Sequence, residues 1–89
     1  MENVMGVIVK EDNNEGLDAL LGKTVTLFCG VYIYTGVLVG VNDYCVKLEK
    51  AGIVYETGPL TDKSWKDKQS LPSAWYVTRQ SIESFGLLK

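Results

Sequence analysis

Residues 34–48 read YTGVLVGVNDYCVKL, and this stretch decides how the chain folds. Apolar side chains dominate it on both sides of Asn42-Asp43-Tyr44, which brings together an amide, a carboxylate and a phenol. Asn-Asp pairs are typical of turns, and the flanking residues include many of the β-branched types that favour strands. We therefore predict two long strands, 32–41 and 44–55, which meet at a polar turn.

The first of these strands is apolar on both faces, because Ile33, Val37 and Val39 fill the positions between its other apolar residues. A strand of this kind is either covered on both sides or lies in a subunit interface. Gly36 and Gly40 lie within it, and glycines inside a strand suit sharp bends or bulges.

The residues before this pair of strands predict a short helix and one more strand. Leu17, Leu20 and Leu21 share one face of a helix over 17–23. Beyond it the apolar period changes to two, which predicts a strand over 24–29.

The two ends of the chain are less regular. Residues 58–73 contain two prolines and mixed charge, which predicts an exposed variable loop or a frayed hairpin tip. Residues 75–80 and 82–87 predict two short strands. The N-terminal extension, 1–15, is compatible with an extra strand over 1–10.

At 89 residues the chain suits one domain, 1–89, with a single core. We expect a mostly β fold: a short N-terminal helix followed by a five-stranded, strongly bent antiparallel small barrel. So short a chain exposes much surface for its core, and oligomerisation is a natural way to bury more of it.

The composition argues against catalysis and metal binding. The chain has no histidine, which is the commonest general base and a frequent metal ligand. Its two cysteines, Cys29 and Cys45, lie inside apolar runs without partner ligands, and we interpret them as small buried residues, with a disulfide or a reactive thiol as the alternative. We expect no enzyme, no metal and no cofactor.

We also expect no membrane partner. The apolar run over 25–41 is shorter than the roughly 20 residues of a spanning helix, and its glycines and β-branched residues favour strands. Residues 1–12 lack the basic start of a secretory leader. We therefore expect a soluble, cytoplasmic protein.

In this order, the elements resemble the Sm-like family, which includes the Sm and LSm proteins and bacterial Hfq. The resemblance covers about 16–58 and 74–87. The first Sm motif matches Tyr34, Gly36, Leu38, Val41, Asn42-Asp43 and the run 44–48. The second, a basic residue followed by a polar and an aliphatic one, matches Arg79-Gln80-Ser81-Ile82 and is closer to the Hfq version than to the Arg-Gly version.

The resemblance implies a homo-oligomeric ring of roughly five to eight subunits, in which the fourth strand of one subunit pairs with the fifth strand of its neighbour. Such pairing would seal edges that a lone barrel leaves exposed. Four residues on these strands are then expected at the oligomer interface: Trp75, Val77, Ile82 and Phe85.

The resemblance also implies binding of single-stranded RNA, U- or A-rich, around a central pore, in the role of an RNA chaperone or scaffold. By position, Tyr44 would stack on a base, Arg79 would brace it and Gln80 would contact base or phosphate, while Asn42 and Asp43 would shape the pocket. Val46 stands where eukaryotic and archaeal Sm proteins place an asparagine that contacts uracil.

Alternatives remain at each of these positions. Asn42-Asp43 is more often a plain turn, Tyr44 could serve as packing at the barrel rim, and Arg79 could be an ion-pair partner of Asp43 or Glu83. The net charge of −2 disfavours general nucleic-acid binding. The rival hypothesis is an Sm-fold ring without RNA binding that serves as a structural or protein-interaction module.

A basic stretch lies in the variable loop. Lys63, Lys66 and Lys68 surround Trp65 there. The stretch is interpreted either as a secondary nucleic-acid surface or as a solvated loop.

Overall fold

The computed structural model describes Gly6, Val9 and residues 15–89. The described chain is mostly β, which confirms that part of the prediction, and it contains six strands and two single turns of 3-10 helix. We label the turns η1 (Asp18–Leu20) and η2 (Arg79–Ser81). The strands are β1 (Thr24–Cys29), β2 (Ile33–Val41), β3 (Cys45–Glu56), β4 (Asp67–Ser70), β5 (Trp75–Thr78) and β6 (Ile82–Gly86).

The strands form one antiparallel sheet in the order β4-β3-β2-β1-β6. The long β3 pairs with β2 along one edge, while its other edge carries β5 beside residues 45–48 and β4 beside residues 52–56. Although η2 alone separates β5 from β6, no pairing between these two strands is found in the described sheet, which is therefore open. The small closed barrel that we predicted is not confirmed.

Two irregularities in register lie between β2 and β3. Lys50 and Ala51 together face Gly36, so β3 carries one extra residue at this point. A second shift adds Val39 to β2 next to Gly40. Bulges of this kind increase the local bend and twist of paired strands.

Gly36 is required by the close approach of the two strands at the first bulge. A Cβ added there would lie 3.0 Å from the carbonyl oxygen of Glu49 and 3.1 Å from the Cα of Ala51. These are backbone atoms of a paired strand, which cannot move aside independently. The bulge in β3 therefore requires a glycine at position 36 of β2.

The core is built from the alternating residues of the central strands. Val25, Leu27, Leu38, Val46 and Leu48 are fully buried. The group is completed by Leu17, Ala51 and Val77, each at most 4% exposed. Burial of this apolar area is the main term that holds the small sheet together.

The N-terminal α-helix predicted over 17–23 is not seen. One 3-10 turn, η1, takes its place, between Gly16 at φ +83° and Gly22 at φ +86°. Too few residues separate these two left-handed glycines for a two-turn helix. Leu17 is nevertheless buried and Leu20 packs against the core, so the predicted apolar face is used by a tighter turn.

The segment 58–73, predicted as an exposed loop or a frayed hairpin tip, contains β4, a strand beyond the five that we predicted. All four residues of β4 are exposed, and they pair with β3 through the backbone. The strand predicted over 75–80 ends at Thr78, because Arg79 begins η2.

The extra strand predicted over 1–10 lies almost wholly outside the described residues, as do residues 11–14 of the N-terminal extension. A membrane-crossing helix, long and apolar enough to span a bilayer, is not found in the described part of the chain.

Candidate nucleic-acid interface

The turn between β2 and β3 is held by the side chain of Asn42. Its Oδ1 accepts hydrogen bonds from the backbone N–H groups of Tyr44 (2.7 Å) and Cys45 (2.8 Å). The backbone N–H of Asn42 donates to the carbonyl oxygen of Cys45 at 3.0 Å. Asparagine commonly closes turns in this way. The amide oxygen is thus used within the chain, and the turn presents its other two side chains to solvent.

Tyr44 is the most exposed aromatic residue of this region, with 80% of its surface accessible. Asp43 beside it is also exposed. A phenol ring so open contributes little to packing, which disfavours the interpretation of Tyr44 as rim packing. The ring is available to a ligand from the turn itself.

Arg79 joins the β5–β6 connection to this turn. Its backbone N–H donates to the carbonyl oxygen of Tyr44 at 2.8 Å, and its Nη1 donates to the carbonyl oxygen of Asn42 at 3.1 Å. The turn in which Asn42 lies and the turn that begins with Arg79 are therefore directly bonded. The fold thus brings together four of the proposed RNA-binding residues: Asn42, Asp43, Tyr44 and Arg79.

The carboxylate partner of Arg79 is Asp18 of η1, whose Oδ1 lies 3.3 Å from Nη1. From the sequence we had considered Asp43 or Glu83 as the ion-pair partner of Arg79. Both side chains of this ion pair are partly exposed, so its net contribution to stability is small. In the described chain the Nε and Nη2 groups of Arg79 make no hydrogen bond, and these donors remain open to an anion.

Two further residues beside the turn were not predicted. A hollow of about 200 Å³ is lined by Asn42, Cys45, Lys47 and Tyr76, among others. Lys47 and Tyr76 face each other across the β3–β5 pair, and the Lys47 ammonium lies 5.8 Å from the centre of the Tyr76 ring. Tyr76 is 61% exposed. Only the register between β3 and β5 reveals this pair, because the two residues lie 29 positions apart in the chain.

Gln80 does not join this group. It lines a separate cavity of about 620 Å³, together with Tyr32, Tyr34, Cys29 and Glu83. This cavity lies between the β1–β2 turn and η2, and Val31 and Tyr32 are exposed at its side. The five proposed RNA-binding residues are thus divided between two sites.

The tyrosines of this second cavity form an aromatic cluster. Tyr32 meets Tyr34 and Tyr55 edge to face, with ring centres 6.2 Å and 6.4 Å apart. Such geometry is favourable for aromatic pairs. Burial raises the pKa of Tyr34, and nearby Cys29 adds to the effect. The spacing of Tyr32 and Tyr34, two positions apart in one strand, was the signal that could have revealed the cluster.

Both cysteines are free and only half-buried, so the described chain contains no disulfide. Burial raises the pKa of the Cys29 thiol, against a smaller opposing effect of its hydrogen bond with Ser81. A thiol in this state is protonated near neutral pH and is a poor nucleophile. Clusters of three or more Cys, Asp or Glu suited to a metal ion are not found in the part that the structure describes.

The proposed interface residues occupy different environments. Trp75 is 37% exposed on β5 and Phe85 is 42% exposed on β6. Ile82 packs against the core, and Val77 is a core residue only 4% exposed, so its side chain is used within the chain itself. The outer edge of β5 and the outer edge of β6 are each unpaired in the described sheet.

Searches of protein-family models, of curated proteins and of solved structures each found no match to this chain.

Proposed function

We propose that the chain is a subunit of an Sm-like homo-oligomeric ring that binds single-stranded RNA, U- or A-rich, as an RNA chaperone or scaffold. The bonding of Arg79 to the Asn42–Tyr44 turn carries this proposal. It places a guanidinium with open donors beside a turn that carries an exposed phenol ring. We call this group of residues, Asn42, Asp43, Tyr44 and Arg79, the RNA corner. Stacking on an aromatic side chain contributes roughly 1–3 kcal/mol per base, and a guanidinium suits phosphate.

Lys47 and Tyr76 extend this corner by a second cation and a second exposed ring. Together, Arg79 and Lys47 offset the acidity of Asp43 and Asp18 at this point of an otherwise acidic chain. Each corner is small, so we expect a single copy to bind weakly. Several copies around one axis would bind a strand more tightly through avidity.

The strand order supports the ring. The described sheet ends at β6 on one side and at β4 and β5, which pair with different parts of β3, on the other; in it both β5 and β6 have an unpaired edge. Unpaired edges favour pairing with another chain. Pairing of β5 in one copy with β6 in the next would join copies head to tail and bring Trp75 and Phe85 into the contact. Head-to-tail contacts close into rings when the rotation permits.

The test is fluorescence anisotropy of labelled oligo-U and oligo-A with the full chain at moderate salt, together with light scattering. We expect the parent chain to bind with micromolar affinity. Tyr44→Ala should lower this affinity by about tenfold or more, because one stacking contact disappears. Tyr44→Phe keeps the ring and is the matched control. Absence of binding in the intact chain, or equal binding by Tyr44→Ala, would overturn the RNA proposal, and a monomer at all concentrations would overturn the ring.

One observation favours the rival function, a protein-interaction ring without RNA. The Arg79 guanidinium is already engaged by Asp18 and Asn42, while the cavity around Tyr32 and Tyr34 is mainly apolar and carries exposed Val31. Exposed apolar surface of this kind is typical of protein contacts. Ring formation without any RNA binding would support this alternative.

A further inference from the structure

We propose that this protein binds a compact polyphosphate, either an inorganic polyphosphate or the di- or triphosphate group of a nucleotide, in a basic cavity separate from the corner described above. This inference does not rest on the proposed function. The basic cavity is defined by Trp65 and five lysines, Lys50, Lys63, Lys66, Lys68 and Lys89. Its volume of about 570 Å³ lies within the range of small-molecule sites.

The lysines reach this cavity from separate parts of the chain. Lys50 comes from β3, Lys63 and Lys66 from the loop before β4, Lys68 from β4, and Lys89 from the residues after β6. The cavity floor includes Thr35 and Gly36 of β2. A strand of RNA crossing a surface needs cations in a row. Lysines that converge on one concavity suit a compact anion instead.

Three of the five lysines have no charged partner among the described residues. Lys66 pairs with Glu56 at 3.3 Å, and Asp67 also lines the cavity. The side-chain ammonium groups of Lys50, Lys63 and Lys68 form no ion pair or hydrogen bond with any residue that the structure describes. Three lysines without an ion pair give the cavity a positive potential, which favours a multiply charged anion. Lysine binds phosphate as a point charge.

The backbone at Lys50 provides an independent observation. Lys50 has φ +50° and is the one described non-glycine residue with positive φ. Glycine or asparagine adopts this left-handed conformation at lower cost than lysine. The strained residue lies at the bulge that faces Gly36, and bulges redirect side chains. Strain of this kind is often found where a side chain serves a ligand.

Lys89 is a positioning residue for the cavity wall. Its ammonium donates three hydrogen bonds, to the carbonyl oxygens of Thr57 (2.9 Å), Pro59 (3.0 Å) and Ser64 (2.9 Å). It also lies 4.5 Å from the centre of the Trp65 ring. All three N–H donors are thus used, so Lys89 holds the loop that carries Lys63 and Lys66 and contributes only charge to a ligand.

Lys68 is positioned by a glycine. Its aliphatic stem lies directly against Gly52, where an added Cβ would come within 3.0 Å of Lys68 Cγ and Cδ. The stem therefore packs on the backbone of β3, and its charged end is presented beside the cavity.

Titration calorimetry of the full chain with inorganic tripolyphosphate, in chelator-treated buffer at low and at moderate salt, tests the proposal. We expect binding that Lys50→Asn weakens at least about fivefold and that the double variant Lys63→Gln/Lys68→Gln weakens further. Asparagine tolerates positive φ, so Lys50→Asn should fold at least as stably as the parent. Lys23→Asn, at an exposed lysine outside the cavity lining, is the matched control and should bind as the parent does.

Two further arms identify the ligand and separate this site from the RNA corner. Binding of ATP more tightly than tripolyphosphate assigns a nucleotide, and equal binding assigns the phosphate chain alone. Tyr44→Ala should leave tripolyphosphate binding unchanged. The proposal is overturned if tripolyphosphate gives no binding, if Lys50→Asn binds as the parent does, if citrate binds as tightly as tripolyphosphate, or if Lys50→Asn weakens oligo-U and tripolyphosphate equally.

Discussion

Arg79 and Asp18 lie 61 positions apart in the chain, yet Nη1 of the arginine is 3.3 Å from Oδ1 of the aspartate. The same Nη1 also donates to the carbonyl oxygen of Asn42, so one side chain connects η1, the β2–β3 turn and η2. The ion pair therefore does two things at once. It fixes the place of the guanidinium, and it uses part of the charge that an anionic ligand would need.

Replacement of Asp18 by asparagine separates these two effects. Asp18→Asn retains a hydrogen-bond acceptor for Nη1 and removes the competing charge, so we expect oligo-U to bind roughly two- to fivefold more tightly. Fluorescence anisotropy measures the change. Asp62→Asn, at an exposed carboxylate of the loop before β4, is the control for net charge. An equal gain in both variants, or none in Asp18→Asn, would contradict a role of Arg79 in RNA binding.

Introduction of a charge at the exposed Phe85 of β6 tests assembly. Phe85 is 42% exposed in the single chain, so Phe85→Glu should fold with a stability close to that of the parent. It should nevertheless shift the light-scattering mass toward the monomer, because a carboxylate would be buried in the proposed contact. Leu60→Glu, at a loop residue 54% exposed, should leave the mass unchanged. If Phe85→Glu assembles as the parent does, the contact lies elsewhere.

A pair of glycines tests the approach of β2 to β3. Gly36→Ala places a methyl group 3.0 Å from the carbonyl oxygen of Glu49, and we expect it to lower the free energy of unfolding by about 1–3 kcal/mol. Gly30→Ala meets no heavy atom within 4 Å and should change it by less than about 0.5 kcal/mol. Urea denaturation gives both values. Similar values for the two variants would show that β2 and β3 separate easily enough at the bulge to accommodate a methyl group at position 36.

Two buried threonines on neighbouring strands provide another matched pair. Thr26 is fully buried, and its Oγ1 has no hydrogen-bond partner in the part of the chain that the structure describes. Thr26→Val should therefore raise the free energy of unfolding, by about 1 kcal/mol. Thr35 is also buried, but its hydroxyl donates to the carbonyl oxygen of Val25 at 3.0 Å. Thr35→Val should lower the same quantity by a similar amount, and denaturation curves that showed the two effects with equal sign would refute this account.

Stability should fall in alkaline solution. Burial raises the pKa of the Cys29 thiol above its ordinary value of 9.0 and the pKa of the Tyr34 phenol above 10.0. Below pH 9 both groups are protonated in both states, so their full contribution is present. As the pH rises through these ordinary values, the unfolded chain loses its protons first, and the free energy of unfolding decreases until the folded groups also ionise.

Urea denaturation at a series of pH values between 7 and 11 measures this loss. In Cys29→Ala the decrease that begins near pH 9 should be smaller, and in Tyr34→Phe the decrease at higher pH should be smaller. The same pH profile in both variants and the parent would assign the alkaline loss to other groups.

The alternation of apolar residues was enough to place β1, β2 and β3 within one or two residues. Val25 and Leu27 recur at a period of two, and Asn42-Asp43 has the chemistry of a turn. By contrast, β4 reads Asp-Lys-Gln-Ser, which has no apolar face and pairs through its backbone alone. The helix was predicted wrongly because Leu17 and Leu20 are also neighbours in a single 3-10 turn.

The amino-acid sequence by itself determined the local elements of the central sheet: the extents of β1, β2 and β3 and the turn at Asn42-Asp43. These follow from interactions between near neighbours and from the energy of removing apolar side chains from water. Only the tertiary structure decided which distant residues meet. The contact of Arg79 with Asn42 and the convergence of Lys50, Lys68 and Lys89 depend on strand register, on two bulges and on the path of the chain after β6. These are set by long-range pairing, which no short stretch of sequence contains.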